Sequence, residues 1–221
     1  MASILVIGAS RGIGWGLAQA CLARGDRVIA TVRKAADAQA LRDAGAEVLV
    51  VDVAQPASVS GLAWQLDGVA LDQAWYVAGA WHGGSADTPP TQPDFDRVMH
   101  TNVLGAMQVL PQVMPSVVAA GGTMVCISSM MSRLEAAASH AWLYRASKAA
   151  LNMVVASAQT AWPGTPLIAM DPGWVQTDMG GDNAAIDVQT CVQGMLQTVA
   201  HLAPQDHGRL LRYDGHRWAQ W

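Results

Sequence analysis

The stretch ILVIGASRGIGWG, Ile4–Gly16, joins an apolar run of strand length to a helical pattern through a turn rich in glycine. Glycines at such a junction permit a tight turn and close approach of the backbone to a ligand. The amide N–H groups and the positive end of the following helix would then receive the pyrophosphate of a dinucleotide. The spacing is G-x-x-x-G-x-G, a relative of the usual G-x-G-x-x-G, and the alternative is a plain strand-to-helix turn. The residues expected to contact the cofactor here are Gly8, Ser10, Arg11, Gly12, Ile13 and Gly14.

Beyond this turn, apolar runs of strand length alternate with helical patterns along the whole chain. The runs are SILVI (3–7), RVIATV (27–32), EVLVVDV (47–53), QAWYVAG (73–79), GTMVCIS (122–128), PLIAM (166–170) and RLLRY (209–213). Longer helical patterns cover about 94–118, 143–162 and 187–202. Because parallel strands need long crossovers, this alternation predicts a single Rossmann-type, doubly wound α/β domain over residues 1–221. We expect a seven-stranded parallel sheet with helices on both faces.

Composition and charge narrow the classes of function. Of the 221 residues, 52% are hydrophobic and 14% are charged, and the net charge is −4. This balance suits strands covered on both faces and offers no basic surface to nucleic acid or an anionic membrane. Cys21, Cys126 and Cys191 lie far apart among apolar neighbours, so we expect reduced core residues and no metal site. The first residues resemble a strand rather than a signal peptide, which favours a cytoplasmic protein.

Residues 98–132 contain no Asp, Glu, Lys or Arg, which raises the alternative of a membrane span. However, Pro111, Pro115 and the pair at 121–122 interrupt this stretch, and Asn102 would be stranded in hydrocarbon. We therefore expect a buried helix that leads into a buried strand, and no membrane partner.

The end of the second run bears on the choice of cofactor. An NAD site usually has Asp or Glu there to accept a hydrogen bond from the ribose 2′-hydroxyl, whereas this chain has TVR at 31–33. Arg33 and Arg11 could pair with a 2′-phosphate, so the pattern favours NADP(H); the alternative is that both are solvated surface cations. Asp52 and Val53 are expected near the adenine, although Asp52 could equally cap the helix that follows.

The segment YRASKAALN, Tyr144–Asn152, holds a phenol and an ammonium four residues apart. In a helix, Tyr144 and Lys148 share one face and can meet. An ordinary surface pair at this spacing is the alternative, since such pairs are common and contribute only tenths of a kcal/mol.

Several ordered motifs together resemble one known family. GASRGIG, TNVLGA, ISSMM, YRASK and DPGWVQTDMGG are similar to motifs of the short-chain dehydrogenase/reductases, over essentially the whole chain. The versions YRASKAALN and PGWVQTDMGG most resemble the C-factor-like branch, which is itself similar to sniffer-type carbonyl reductases.

The resemblance implies a catalytic set. Tyr144 would donate a proton to a carbonyl oxygen, while Lys148 would lower the pKa of the phenol and bind the nicotinamide ribose. Ser129 would hydrogen-bond the substrate oxygen. Ser128 and Ser132 are rivals for that role, because the gap from Ser129 to Tyr144 is longer than the commonest family spacing.

The family role of Asn102 is to order water beside the lysine in a proton relay. In an apolar helix this side chain would otherwise be a costly unpaired group. The alternative is a buried Asn that is satisfied by a neighbouring carbonyl.

Segments after the fourth and sixth runs complete the expected site. The residues expected to contact the cofactor there are Ala78, Gly79, Pro172, Gly173, Val175 and Thr177. Residues 178–187 are expected to form a mobile loop over the substrate, with a plain connection as the alternative. The residues that could wall an apolar pocket, or be ordinary core, are Met130, Met131, Trp174 and Met179.

Two positions depart from the family pattern. Val77-Ala78-Gly79 replaces the usual Asn-Ala-Gly, and Asp171 stands where the most similar branch tends to have His. Neither residue is one of the proposed acid, cation or relay groups.

These observations lead to two hypotheses of function. The first is an NADPH-dependent oxidoreductase that transfers hydride between the nicotinamide and a small carbonyl or alcohol, with Tyr144 as general acid/base. The alternative is a cofactor-binding regulatory or signalling protein that uses the dinucleotide as a structural or redox-sensing ligand. The resemblance also implies a homodimer or homotetramer that pairs through the helices carrying Asn102 and Tyr144, although monomeric relatives exist.

Overall fold

The computed structural model of the protein describes residues 1–219 and 221. Its strands are β1 (Ser3–Ile7), β2 (Arg27–Val32), β3 (Glu47–Val50), β4 (Gln73–Tyr76), β5 (Thr123–Ile127), β6 (Leu167–Asp171) and β7 (Leu210–Arg212). They form a seven-stranded sheet in the order β3-β2-β1-β4-β5-β6-β7. Every neighbouring pair is parallel, so the predicted sheet is confirmed.

Helices connect the strands. They are α1 (Gly12–Ala23), α2 (Gln39–Asp43), α3 (Pro56–Val59), α4 (Leu62–Gln65), α5 (Gln92–Met99), α6 (Gly105–Ala120), α7 (Trp142–Gln159) and α8 (Val188–Ala200). A π-helical turn, His100–Leu104, joins α5 to α6. The crossovers on either side of β3 contain only short helices. Gly45 follows α2 and Gly68 follows α4, and both adopt positive φ angles, which an α-helix cannot continue through.

The apolar side chains pack on both faces of the sheet. Leu5 and Ile7 of β1 belong to a cluster with buried residues of α6 and α7. Ile4 and Val6 of the same strand belong to a second cluster with residues of α1 and α8. Burial on both faces explains why the strands are continuous apolar runs rather than alternating ones, and it confirms the predicted helix layers.

The segment Gln92–Ala120 is long and apolar enough to cross a membrane on length and composition alone, a test that the core helix of a globular protein also passes. In this fold, one face of α6 packs on the sheet. The buried residues on that face are Ala106, Val109, Leu110, Val113, Met114 and Val117. Packing against β4 and β5 therefore accounts for much of its apolar character, as the sequence predicts.

The strand order reverses between β1 and β4. β2 and β3 lie on one side of β1, whereas β4 to β7 lie on the other. In an open parallel sheet, the connections that leave the carboxyl ends of two such strands diverge and create a crevice. Residues that follow β1, β4, β5 and β6 border that crevice.

Candidate active site

A cleft of about 450 Å³ opens at the carboxyl edge of the sheet. The predicted cofactor residues that line it are Gly8, Ser10, Arg11, Gly12, Ile13, Gly14, Arg33, Asp52, Val53, Ala78, Gly79, Tyr144, Lys148, Pro172 and Thr177. Asn102, Gly173 and Val175 lie outside this lining. Lys34 also lines the cleft. It directly follows Arg33 in the chain, but its sequence context offers no reason to assign it to the cofactor site.

The glycine loop leaves no room for side chains at its centre. Gly8 has a φ of +92°, and a Cβ atom there would lie 2.7 Å from the backbone nitrogen of Ala78. A Cβ atom on Gly14 would collide with the carbonyl oxygen of Gly8. The loop is further fixed by Thr31, whose Oγ1 accepts a hydrogen bond of 3.1 Å from the Gly8 N–H. The backbone can therefore approach a ligand closely at this point.

The first turn of α1 offers backbone N–H groups to the same space. Helix α1 begins at Gly12, and the side chain of Arg11 at its N-cap makes no capping hydrogen bond. The first N–H groups of a helix have no partner within the helix, and they favour an anion such as a pyrophosphate. The loop and helix together fit the dinucleotide that the sequence predicts.

Arg11 turns toward the loop after β6. Its Nη1 lies 2.8 Å from Oδ2 of Asp178, and both side chains are exposed. Arg11 therefore links the glycine loop to the predicted mobile loop, whereas the sequence reasoning placed it beside Arg33 at the 2′-phosphate. Arg33 and Lys34 are the cations that line the cleft after β2.

Asp52 is partly engaged in a local turn. Its Oδ1 accepts a hydrogen bond of 3.0 Å from the Ala54 N–H, and its own N–H donates to Ser58 Oγ at 2.9 Å. This geometry matches the alternative in which Asp52 organises the start of the following helical segment. The residue still lines the cleft, so both roles are compatible with its position.

Tyr144 and Lys148 lie one turn apart on α7 and both line the cleft. They are 7% and 3% exposed, which is inconsistent with a solvated surface pair. The Lys148 Nζ lies 5.6 Å from the centroid of the Tyr144 ring. It also donates a hydrogen bond of 2.7 Å to the carbonyl oxygen of Ile127, at the end of β5. The helix thus holds an ammonium and a phenol beside the same crevice.

Three serines follow β5, and their partners distinguish them. The hydroxyl of Ser129 hydrogen-bonds the phenol of Tyr144. Ser128 instead donates to Oδ1 of Asn152 at 2.6 Å, and the Asn152 amide donates to Ser132 Oγ at 2.8 Å. Ser128 lines the cleft, but its hydroxyl is used in the bond to Asn152. Ser129 lies outside the lining and hydrogen-bonds the phenol that lines it, which favours Ser129 for the substrate oxygen.

The pKa of the phenol differs from the expectation. Burial raises the pKa of Tyr144 above its ordinary value, and the Ser129 hydrogen bond only partly opposes this rise. Burial also lowers the pKa of Lys148 to about 8. The expectation that the Tyr144 pKa lies below its ordinary value is therefore wrong for this geometry, because desolvation of the phenol outweighs the effects that favour its ionised form.

Asn102 lies in the π-helical turn, fully buried. Its Oδ1 accepts from the Ala80 N–H at 2.7 Å, and its Nδ2 donates to the Ala80 carbonyl oxygen and to Ser147 Oγ, each at 2.9 Å. The amide is satisfied by protein groups, as in the alternative interpretation. Because Ala80 and Ser147 already satisfy the Asn102 amide, its burial does not require a bound water.

A family profile described as short chain dehydrogenase matches residues 2–187. The chain belongs to the short-chain dehydrogenase family. Among individual short-chain dehydrogenase relatives, C-signal of Myxococcus xanthus is 35% identical over 146 residues, which cover 63% of this chain and 84% of that protein.

Solved structures of carbonyl reductases superpose along nearly the full length of this chain. The carbonyl reductase Sniffer of D. melanogaster gives a TM-score of 0.91 at 25% identity, with 99% of each chain covered. The NADPH-bound carbonyl reductase from chicken fatty liver gives 0.88 at 29% identity, again with 99% of each chain covered. The resemblance to sniffer-type carbonyl reductases that the motifs predict is confirmed.

Of the positions in this short-chain dehydrogenase that depart from the family's sequence pattern, Asp171 has the clearest physical consequence. It ends β6 and is 1% exposed. Its Oδ1 accepts from the Gly173 N–H at 3.1 Å, whereas Oδ2 is a buried oxygen without a hydrogen-bond partner among the described residues. Burial raises the pKa of this carboxyl group, opposed by the Gly173 hydrogen bond and by the charge of Arg212.

This raised pKa predicts a pH dependence of stability. The folded protein binds the Asp171 proton more tightly than the unfolded chain, so its free energy of unfolding falls as the pH rises from about 4 through the folded-state pKa. Asp171→Asn removes the ionisable group and therefore this loss of unfolding free energy at higher pH. We expect the melting temperature of the variant relative to wild type to increase as the pH is raised from about 4 to neutral, by about 2–4 °C for each kcal/mol.

Asp206→Asn is the matched control for this measurement. Asp206 is also buried, but its hydrogen bonds from Arg217, at 2.6 and 2.8 Å, lower its pKa. Its contribution to stability is present above about pH 4 and is lost as the pH falls through the lowered pKa, so its trend has the opposite sign. If the difference in melting temperature between Asp171→Asn and wild type is the same at every pH, the raised pKa of Asp171 is contradicted.

Proposed function

We propose that this protein is an NADP(H)-dependent oxidoreductase that interconverts a carbonyl compound and an alcohol, with Tyr144 as the general acid/base. One observation carries the proposal: Tyr144 and Lys148 line the same cleft as the glycine loop. A single ligand bound along that cleft therefore touches both a phosphate cradle and a proton donor. The bound nicotinamide would supply hydride to the carbonyl carbon.

Tyr144 is protonated at neutral pH, because a phenol has an ordinary pKa of about 10 and burial raises this pKa further. This is the state that a proton donor needs before reduction. The alkoxide that develops on the substrate is the conjugate base of an acid about as weak as water, so it takes the proton from the phenol even though the phenol is a weak acid. In the reverse direction, the phenolate form would accept the alcohol proton.

Lys148 and Ser129 would support this transfer. With a pKa of about 8, Lys148 is mostly charged at neutral pH, and its ammonium stabilises the phenolate that remains after the proton leaves. The backbone N–H of Met131 donates to Ser129 Oγ at 3.1 Å, so the only proton that Ser129 can donate is that of its hydroxyl. This proton is directed to the Tyr144 phenol in the structure and would turn to a substrate oxygen bound beside both groups. Two donors, Ser129 and Tyr144, would then meet the developing charge.

The residues after β2 support NADP(H) rather than NAD(H). Arg33 and Lys34 line the cleft at the position where an NAD site usually has a carboxylate. The similar chicken enzyme is described with NADPH bound. An arginine fork can hold a 2′-phosphate through two hydrogen bonds, which are absent with NAD(H).

Arg33→Ala should therefore weaken NADPH binding and leave NADH binding nearly unchanged. Losing a hydrogen bond to a charged group costs about 1.5–3 kcal/mol, so the Kd for NADPH should rise about 10- to 100-fold. Titration calorimetry with both cofactors measures the difference. Arg42→Ala, on α2, is a matched control that should alter neither Kd, and an equal loss for both cofactors would refute the phosphate contact.

The relative C-signal supports a second candidate function, because its name denotes a signal. In that case the protein would bind a dinucleotide to hold a shape that a partner recognises. A screen of diverse aldehydes and ketones, which follows NADPH consumption, separates the two. Turnover of a carbonyl compound supports the oxidoreductase, whereas tight NADPH binding without consumption in any reaction favours the regulatory role.

We further propose that the protein pairs with a second copy through the outer faces of α6 and α7. Met107 on α6 and Met153 on α7 are 53% and 67% exposed, although they are large and apolar. Burial of such side chains at an interface is favourable. Sedimentation of the purified chain would show whether it is a homodimer or homotetramer.

A further inference from the structure

The loop that follows β4 is fixed to the protein at its first residues. Asn102 holds both the N–H and the carbonyl oxygen of Ala80, at 2.7 and 2.9 Å. The next carbonyl oxygen, that of Trp81, accepts a hydrogen bond of 3.1 Å from Nη2 of Arg97. The backbone that carries the Trp81 side chain is therefore held from two directions.

The far end of the same loop is joined to the segment that leads into α7. The Ala141 N–H donates to the Gly84 carbonyl oxygen at 2.8 Å, and the Ala86 N–H donates to the Ser139 carbonyl oxygen at 3.1 Å. Ser85 and His140 form an antiparallel bridge between these contacts. The loop thus reaches from the end of β4 to the helix that carries Tyr144.

The Trp81 side chain uses this support to contact the proposed acid. Its ring centroid lies 4.6 Å from that of Tyr144, with a tilt of 56°. The ring of His140 lies 5.9 Å from Trp81, with a tilt of 55°. Trp81 is only partly buried, so part of its surface remains available to a ligand. Tilted arrangements at these distances are the favourable ones for aromatic pairs.

The position of Trp81 relative to the cleft indicates which ligand it would meet. Tyr144 lines the cleft of the cofactor, whereas Trp81 and His140 lie beyond that lining. A carbonyl group that accepts a proton from Tyr144 must carry its substituents away from the nicotinamide. Substituents that extend past Tyr144 would meet the partly exposed ring of Trp81, which packs against the Tyr144 ring.

We propose that Trp81 and His140 form an aromatic wall of the substrate site, which selects carbonyl compounds that bear a flat aromatic ring. The inference rests on the proposed oxidoreductase function and names its substrate class. An aromatic ring that packs on Trp81 gains about 0.5–1.5 kcal/mol beyond the burial of its area, which a saturated ring of the same size does not gain.

Matched substrate pairs test this selection. Benzaldehyde and cyclohexanecarbaldehyde carry rings of the same carbon number, aromatic in the first and saturated in the second, as do acetophenone and cyclohexyl methyl ketone. The difference in intrinsic carbonyl reactivity within a pair cancels when its ratio is compared between protein variants. For each pair, the ratio of kcat/KM values with NADPH is measured in wild type, Trp81→Leu and Trp81→Phe. We expect Trp81→Leu to lower the aromatic-to-saturated ratio about two- to tenfold, and Trp81→Phe to keep it within about twofold of wild type.

Control variants distinguish a loss of preference for aromatic substrates from a loss of folded structure. Trp64→Leu replaces an exposed tryptophan on α4, and it should leave the ratio unchanged. NADPH affinity and melting temperature report whether each variant is folded, and Trp81→Phe retains a ring if Trp81→Leu does not fold. If Trp81→Leu leaves the aromatic-to-saturated ratio unchanged, the inference is overturned. An unchanged ratio with a lower rate for both members of a pair would mean that Trp81 only positions Tyr144.

The outcome also distinguishes this inference from the proposed function. If wild type consumes NADPH with these compounds but the ratio is insensitive to Trp81, only the aromatic wall is rejected. If wild type binds NADPH and consumes none with either pair or with the broader screen, the oxidoreductase function is rejected, and the substrate class falls with it.

Discussion

Replacing Tyr144 with Phe should lower kcat for carbonyl reduction by about 10²- to 10⁴-fold, the usual contribution of a positioned general acid. The substitution removes only the phenolic oxygen. The ring that packs against Trp81 remains, as does the hydrogen bond from Lys148 to Ile127. We therefore expect NADPH affinity to stay within a few-fold of wild type, as measured by titration calorimetry alongside steady-state rates.

Tyr213→Phe is the matched control, because it removes the same group from a tyrosine that lies outside the cleft lining. It should leave kcat near the wild-type value. If Tyr144→Phe retains wild-type turnover, Tyr144 is not the proton donor, whatever its position in the cleft.

The fold could be predicted because the sequence marks each buried strand clearly. Residues such as Val6 and Ile7 lie next to one another in the chain and are both fully buried, on opposite faces of the sheet. A sheet covered on both sides produces such runs, whereas a sheet with one face in water gives alternating apolar and polar residues. The short helices around β3 were not predicted, since a few residues bounded by glycine carry too little periodicity to indicate a helix.

The positions of the main site residues followed from local patterns. Helical spacing brings Tyr144 and Lys148 to one face, and the glycine loop lies at the turn where the sequence predicts it. The pKa values of Tyr144 and Lys148 could not be predicted from the sequence, because the desolvation of each group depends on which side chains the tertiary fold packs around it. The Ile127 carbonyl that receives the Lys148 hydrogen bond comes from another strand.

Trp81 was missed for a related reason. In the sequence it is a lone tryptophan between Ala80 and His82, with no spacing that relates it to Tyr144. Its contact with that ring exists because Asn102 and Arg97 fix the loop backbone. Asn102 was selected for a proton relay, but the partners of its side chain instead connect the loop after β4 to Ser147 on α7.

Replacing Lys148 with Met should reduce kcat and weaken NADPH binding together. Loss of a preorganised charged donor in an active site costs about 10²- to 10³-fold in kcat. The variant is expected to fold, because an apolar side chain of similar length removes a buried ammonium whose desolvation already lowers its pKa to about 8. Steady-state kinetics and cofactor titration measure both effects.

The wild-type pH profile provides an independent check on Lys148. Above a pH of about 8 its ammonium loses the proton, and with it the charge that stabilises the phenolate, so kcat/KM for reduction should fall as the pH rises through that value. Lys148→Met should lack this limb. Lys34→Met, which alters the sequence's other lysine, should change cofactor affinity while keeping both kcat and the limb. A limb that persists in Lys148→Met must belong to another group, and the role of Lys148 in setting the charge beside Tyr144 would then be rejected.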